Sequence, residues 1–206
     1  MPAIENSLHK TSIRGKLKKA EKNNLKITNG KSLDDARILY KQYLQMRKEY
    51  GLLSQPYQFF TTILEQIPAQ NFNILHAEYQ GRKIASILLL TYKNTVTYEY
   101  GATLSEMKKY GASPYLLWQA IRQAKHDGFQ KFDFGRTADD NTGLVRFKER
   151  WGTKREPLLY YYFPDFGSGA QIRKNGFSKR LMAYSMHHLP EPVCQFAGKM
   201  LYRSFV

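Results

Sequence analysis

The stretch that decides the fold runs from Lys108 to Gly135, "KKYGASPYLLWQAIRQAKHDGFQKFDFG". Ser113 reads as an N-cap, Pro114 as the first helical residue and Gly128 as the stop, so a helix is expected between them. "FQKFDFG" then returns to strand. Upstream, the period changes to two: "FNILHAEYQ", "GRKIASILLLTYKN" and "TVTYEYGA" read as three strands joined by the "QGR" and "KNT" turns, an antiparallel meander. Downstream, "DNTGLVRFKERWG" fits a short helix and "EPLLYYYFP" a last strand.

Two helices are expected ahead of the meander. In "GKSLDDARILYKQYLQMRKEYG", Ser32 is the N-cap, Asp34 and Asp35 stand in the first turn and Gly51 follows the end. Leu33, Ala36, Tyr40, Tyr43 and Leu44 are its expected buried side. A second helix begins near Pro56 and carries Phe59, Phe60, Ile63, Leu64 and Ile67 before Pro68 stops it. Ahead of both, His9 to Lys26 holds seven basic residues and one acid, with Ile13, Leu17 and Ala20 forming a thin apolar stripe. This segment reads as a basic helix.

The remaining composition narrows the function classes. A formal charge of +15 over 206 residues favours anionic partners such as RNA, phosphorylated carriers or acidic lipid surfaces. A single cysteine, Cys194, excludes an internal disulfide, and five histidines without metal-ligand spacing predict no metal. The longest apolar run, Ile84 to Leu90, is far below the roughly 20 residues needed to cross a bilayer. The polar start lacks the apolar run of a secretory signal, so a cytoplasmic location is expected, with a peripheral place on the inner face of the membrane as the alternative. The tail from Gln171 to Val206 has six basic residues, one acid and a helical stripe of Val193, Phe196, Ala197, Met200 and Leu201. It suits an appended core helix or a membrane-surface helix.

The order of elements resembles the GNAT acyltransferase fold, an α/β architecture with a mixed sheet flanked by helices, here with a C-terminal helical extension. The expected divisions are 1–30 for the basic lead-in, 31–165 for the GNAT-like domain and 166–206 for the extension. Within the stretch from Lys108, the resemblance implies a donor loop, with Lys108, Lys109, Gly111, Ala112 and Ser113 holding a pyrophosphate. Physics favours the same place, because a helix N-terminus carries about half a positive charge and free N–H donors.

"FDFGR", "GLVRFKERWG" and "LLYYYF", with the opening "IRGKLKKAEKNNLKI", resemble the second module of Fem-type peptidyltransferases and their acetyltransferase relatives, over roughly Ile13 to Phe163. The resemblance implies an N-acyltransferase acting on an amine of a sugar or cell-envelope precursor, soluble or lipid-linked, with acyl-CoA, acetyl-CoA foremost, as donor. Aminoacyl-tRNA is the alternative donor. A non-catalytic half-module that holds an anionic carrier is the third reading, since such proteins carry two modules and a second chain would have to supply the other.

In that frame Lys148 matches the family's lysine and is expected to stabilise the negative oxygen formed during acyl transfer. Glu99, on the central strand between Tyr98 and Tyr100, is the expected proton acceptor. Arg136 suits an anionic acceptor through its planar fork. Asp133, alternating with Phe132 and Phe134, is expected on the opposite side of the strand from them, paired with Arg136 or Arg146, and Tyr98 and Tyr100 complete the expected substrate contacts.

Overall fold

The computed structural model describes residues 2–159 and, beyond them, residues 161, 193, 195 and 200. Helix α1 (Pro2–Ser7) leads to a π-helical turn at Lys10–Arg14 that runs into α2 (Gly15–Lys22). The helical reading of His9 to Lys26 therefore holds as far as Lys22. Beyond it the chain turns and forms an edge strand, β1 (Lys26–Gly30), antiparallel to β2 (Phe72–Tyr79). The expected stripe is core: Ile13, Leu17 and Ala20 are all buried.

Helix α3 (Leu33–Glu49) starts as its sequence says. The Ser32 hydroxyl accepts the Asp35 amide at 3.1 Å, and the Asp35 carboxylate accepts the Ser32 amide at 3.1 Å, a reciprocal capping box. The stripe that reaches the sheet is Ala36, Leu39, Tyr40, Tyr43 and Leu44, whereas Leu33, the first helical residue, remains exposed. Helix α4 (Tyr57–Gln66) packs on α3 through aromatic edges, with Phe60 buried against Tyr40 and Tyr43.

The meander forms as expected: β2, β3 (Arg82–Tyr92) and β4 (Thr95–Thr103) are consecutive antiparallel neighbours. A 3-10 segment (Ser105–Tyr110) then leads into α5 (Ala112–His126), which returns the chain to β5 (Lys131–Asp133), parallel to β4. Helix α6 (Thr142–Glu149) follows, its Leu144 amide capped by the Asn141 side chain at 3.1 Å. The sheet order is β1-β2-β3-β4-β5.

Alternation along the strands divides the interior in two. Leu75, Ala77, Ile87, Leu89 and Val96 face α2 and α5, while Phe72, Ile74, Leu88 and Ala102 face α3 and α4. The sheet is thus covered by helices on both faces. The expected strand at 156–164 is absent over Glu156–Leu159, and the rest of it, Tyr161 apart, lies outside the described residues. Of the C-terminal stripe, Val193 and Met200 are helical and exposed, and Phe196, Ala197 and Leu201 lie outside the described residues.

Candidate active site

The site begins with an irregularity in β4. Leu88 pairs with Tyr100 but the next residue, Leu89, pairs with Tyr98, so Glu99 is an extra residue bulged out of the ladder. A bulge shifts the side-chain phase by one. Tyr98 and Tyr100, which strict alternation would put on one face, therefore point to opposite faces. Tyr98 packs into the core under α5, and Tyr100 joins Tyr43, Phe59 and Phe60 on the other side. Tyr100 also receives a hydrogen bond from Gln55 at 3.1 Å. The two tyrosines expected to share a substrate pocket are separated by the sheet.

β5 accompanies β4 only from Thr95 to Thr97, opposite Lys131 to Asp133. The ladder ends just before the bulge, and β4 from Tyr98 onward has no ladder partner from β5. Exposed Glu99 stands at this parting. Beneath it, Tyr98 and Phe134 meet edge to face, with centroids 6.3 Å apart, and burial pushes the Tyr98 phenol up to about 12. Tyr98 therefore stays neutral at physiological pH, as a wall and not as a base.

The loop after β5 is fixed by two contacts. Asp133 accepts the Gly135 amide at 2.7 Å, and Lys148, reaching back from α6, donates to the Gly135 carbonyl and to the Arg136 carbonyl at 3.3 Å. Burial lowers the Lys148 pKa, and the Asp133 charge partly restores it. Lys148 is thus a half-buried ammonium tied to a loop instead of the solvated cation its reference chemistry describes. Asp133, expected to hold an arginine, instead closes the turn on Gly135, because the chain folds back within two residues. Arg136 leaves this turn exposed, directly after Gly135. Arg146 lies elsewhere, lining a cavity with Ser7, His9, Glu149 and Arg150.

The expected donor loop takes a form of its own. Gly111, not Ser113, is the N-cap of α5, with no side-chain cap, and its φ of 75° is left-handed. A Cβ there would stand 2.5 Å from the Lys16 carbonyl oxygen of α2. The glycine serves close helix packing. Ala112 is 1% exposed, Pro114 has no N–H, and the Tyr115 amide is held by the Gly111 carbonyl at 3.1 Å. Ser113 is half-buried, and α2 and the buried Ala112 crowd the place expected to hold a pyrophosphate. Lys108 turns toward α3, 2.9 Å from the Ser105 hydroxyl and 3.7 Å from Glu49, with its ammonium over Tyr50; Lys109 lies over Tyr110.

One polar cluster escaped the sequence reading. His76 Nδ1 lies 2.7 Å from the Ser86 hydroxyl, and Nε2 lies 3.2 Å from Asp35, which also accepts Lys83 at 2.9 Å. Ser86 in turn donates to Gln42 at 2.6 Å. The order Ser-His-Asp suggests a nucleophile, but His76 and Ser86 are both 0% exposed, so no substrate reaches them. The cluster pins α3 to the sheet. Burial and the Lys83 charge push His76 down to about 4 against the pull of Asp35. For Asp35, burial works upward, but hydrogen bonds from Ser32 and Lys83 outweigh it and hold the carboxyl well below the usual range. The one signal in the sequence was a lone histidine inside an apolar strand.

The Acetyltransferase (GNAT) domain model matches residues 7–149, which include the whole of this sheet and α5. The chain belongs to this acetyltransferase-domain family. Among curated proteins it is similar to the UDP-N-acetylmuramoylpentapeptide-lysine N(6)-alanyltransferase of Weissella viridescens, 21% identical over 136 residues, 66% of this chain and 40% of that protein. Among solved structures it resembles FemX, with a TM-score of 0.67 and 14% identity over 74% of this chain and 56% of FemX. The aminoglycoside acetyltransferase AAC(6')-Iy, solved with a CoA bisubstrate analogue, gives 0.52 and 18% over 68% of this chain and 97% of its own. The GNAT chain thus spans about 40% of the curated relative's length.

Proposed function

We propose that this chain is the acyl-transfer module of a Fem-type enzyme, moving an aminoacyl group from aminoacyl-tRNA to a primary amine of a cell-envelope precursor. The acceptor is of the kind named for the Weissella relative, the lysine N6 amine of a UDP-linked muramoyl pentapeptide. A second module, in another segment or chain, completes the acceptor channel. The observation that carries the transfer reading is the parting of β4 and β5 at Glu99.

In this reading Glu99 takes a proton from the acceptor ammonium at the open end of the gap. The free amine then attacks the donor carbonyl. Negative charge gathers on the carbonyl oxygen, where the Lys148 ammonium opposes it; on collapse the Glu99 carboxylic acid returns its proton to the leaving ribose oxygen, the C–O ester bond breaks, and the new amide nitrogen gives up its extra proton to the Glu99 carboxylate so formed. Arg136 is the group offered to an acceptor phosphate or carboxylate.

The packing of Lys16 on Gly111, with Ala112 buried beside it, leaves little room for a pyrophosphate at the start of α5 and so favours the tRNA donor. The basic face of α2 supports it too, with Lys16, Lys18, Lys19 and Lys22 all exposed. An acyl-CoA donor is the second reading, favoured by the CoA-bound GNAT neighbours. Transfer from alanyl-tRNA and from acetyl-CoA to the UDP-linked pentapeptide, measured side by side, separates them. Lys16, Lys18, Lys19 and Lys22 changed together to Gln should flatten the salt dependence of tRNA binding, by a log–log slope of about 0.7 to 0.9 per lost phosphate contact. Acetyl transfer without alanyl transfer, or an unchanged salt slope, would reverse the choice of donor.

A further inference from the structure

An open cavity of about 300 Å³ lies between the N-terminal segment and the end of α6, lined by Ser7, His9, Arg146, Glu149 and Arg150. That volume is at the lower end for small-molecule sites. The acyl-transfer reading makes no use of it. At 100° per residue around α6, Arg146 and Arg150 share one face, and Lys148 lies some 200° away on the other. The helix continues through this pair, since the Arg150 amide donates to the Arg146 carbonyl at 3.2 Å.

Two like charges four residues apart on a helix repel each other unless something between them is negative. The nearest acid is already engaged: Glu149 accepts from Arg155. No ion pair joins Arg146 or Arg150 to an acid among the described residues. Basic residues at a helix C-terminus are ordinary, but that accounts for neither the pairing nor the histidine that lines the cavity with them. His9 caps the π-helical turn by accepting the Ser12 amide on Nδ1 at 3.2 Å. Its ring proton therefore sits on Nε2, leaving that nitrogen a donor.

The walls are fixed. The His9 amide donates to the Arg150 carbonyl at 2.9 Å, and Trp151 is buried against Phe134 and Phe147. Gly152, with φ of 72°, comes so close that a Cβ would stand 2.7 Å from Ser7 Cβ. Arg146, Arg150 and His9 thus line one cavity together with Ser7 and Glu149, whose carboxylate is engaged by Arg155. We infer that this cavity is an anion site for a phosphate or diphosphate group, separate from the acyl-transfer gap.

The test is binding of inorganic pyrophosphate to the full chain by calorimetry, a readout independent of turnover and of the donor. Each charge-assisted hydrogen-bonding group is worth about tenfold or more in affinity. Arg146→Gln with Arg150→Gln should therefore weaken pyrophosphate by about a hundredfold. Changing Lys18, Lys19 and Lys22 of α2 to Gln removes more charge but should leave it unchanged. Arg146→Lys with Arg150→Lys keeps the charge and helix end but loses the forks, and should fall between. Vesicles of phosphatidylcholine doped with phosphatidic acid identify the source: binding that pyrophosphate displaces assigns a lipid head group, and no vesicle binding assigns a soluble phosphate. Equal weakening by the arginine and lysine variants would show general charge attraction and overturn the site, as would no pyrophosphate binding at all.

Discussion

Gly111→Ala separates a glycine kept for a ligand from one kept for packing. At φ of 75° an alanine costs about 1 kcal/mol in backbone strain. Its Cβ would also lie 2.5 Å from a carbonyl oxygen of α2, a backbone atom that cannot rotate away. Overpacking of that kind costs about 1–3 kcal/mol more, so the expected loss is roughly 2–4 kcal/mol. Gly81→Ala is the control, because its φ of 77° is nearly the same and nothing lies within 4 Å of the added Cβ. That variant should lose only the backbone share. Urea unfolding followed by tryptophan fluorescence reads both, since Trp118 and Trp151 are buried in the core that α2 and α5 share. If the two variants lose the same stability, α2 does not sit on the donor loop and Gly111 is open to a pyrophosphate. A Gly111→Ala protein of full stability that has lost only donor affinity would refute the packing role more directly.

Lys148→Met removes the donor to the Gly135 and Arg136 carbonyls; stability should fall by about 1–3 kcal/mol and single-turnover transfer by about a hundredfold to a thousandfold. Full turnover in that variant would leave Lys148 a strut alone. His76, held at about 4 against 6.5 in the unfolded chain, sets a pH dependence: the unfolded state takes the proton first, so the contribution is complete above pH 6.5 and declines toward pH 4, by up to about 1.4 kcal/mol per unit. His76→Gln should flatten this slope in urea titrations, and stability that rises on acidification through the window would mean that Asp35 holds the ring as an imidazolium.

Local signals in the sequence carried the frame. The cap at Ser32, the stop at Gly128 and the period of two from Phe72 to Thr103 each depend on residues a few positions apart, and each is where the sequence put it. β1 was hidden because "KITNG" has one apolar residue and is a strand only through its pairing with β2. Ser113 followed by Pro114 imitates a cap, but a left-handed glycine two residues earlier takes the position.

The site was harder to read for a single physical reason. Tyr98-Glu99-Tyr100 alternates perfectly, and nothing within β4 distinguishes a regular strand from one whose partner skips a residue; the bulge exists only in the register with β3. Gly111 was visible as a glycine, yet what crowds it is the carbonyl of a residue in another helix. Lys148 was visible as a cation, yet its burial comes from a loop that Asp133 folds back beneath it. Each of these residues is placed by a contact made across the fold: the tyrosine pair is divided by the sheet, Gly111 packs on another helix, and Lys148 is tethered to a loop. A resemblance names which residues to inspect. Which donor the module accepts depends on the contacts between them, and the contact of Lys16 with Gly111 weighs against a CoA pyrophosphate at the place where the motif alone would put it.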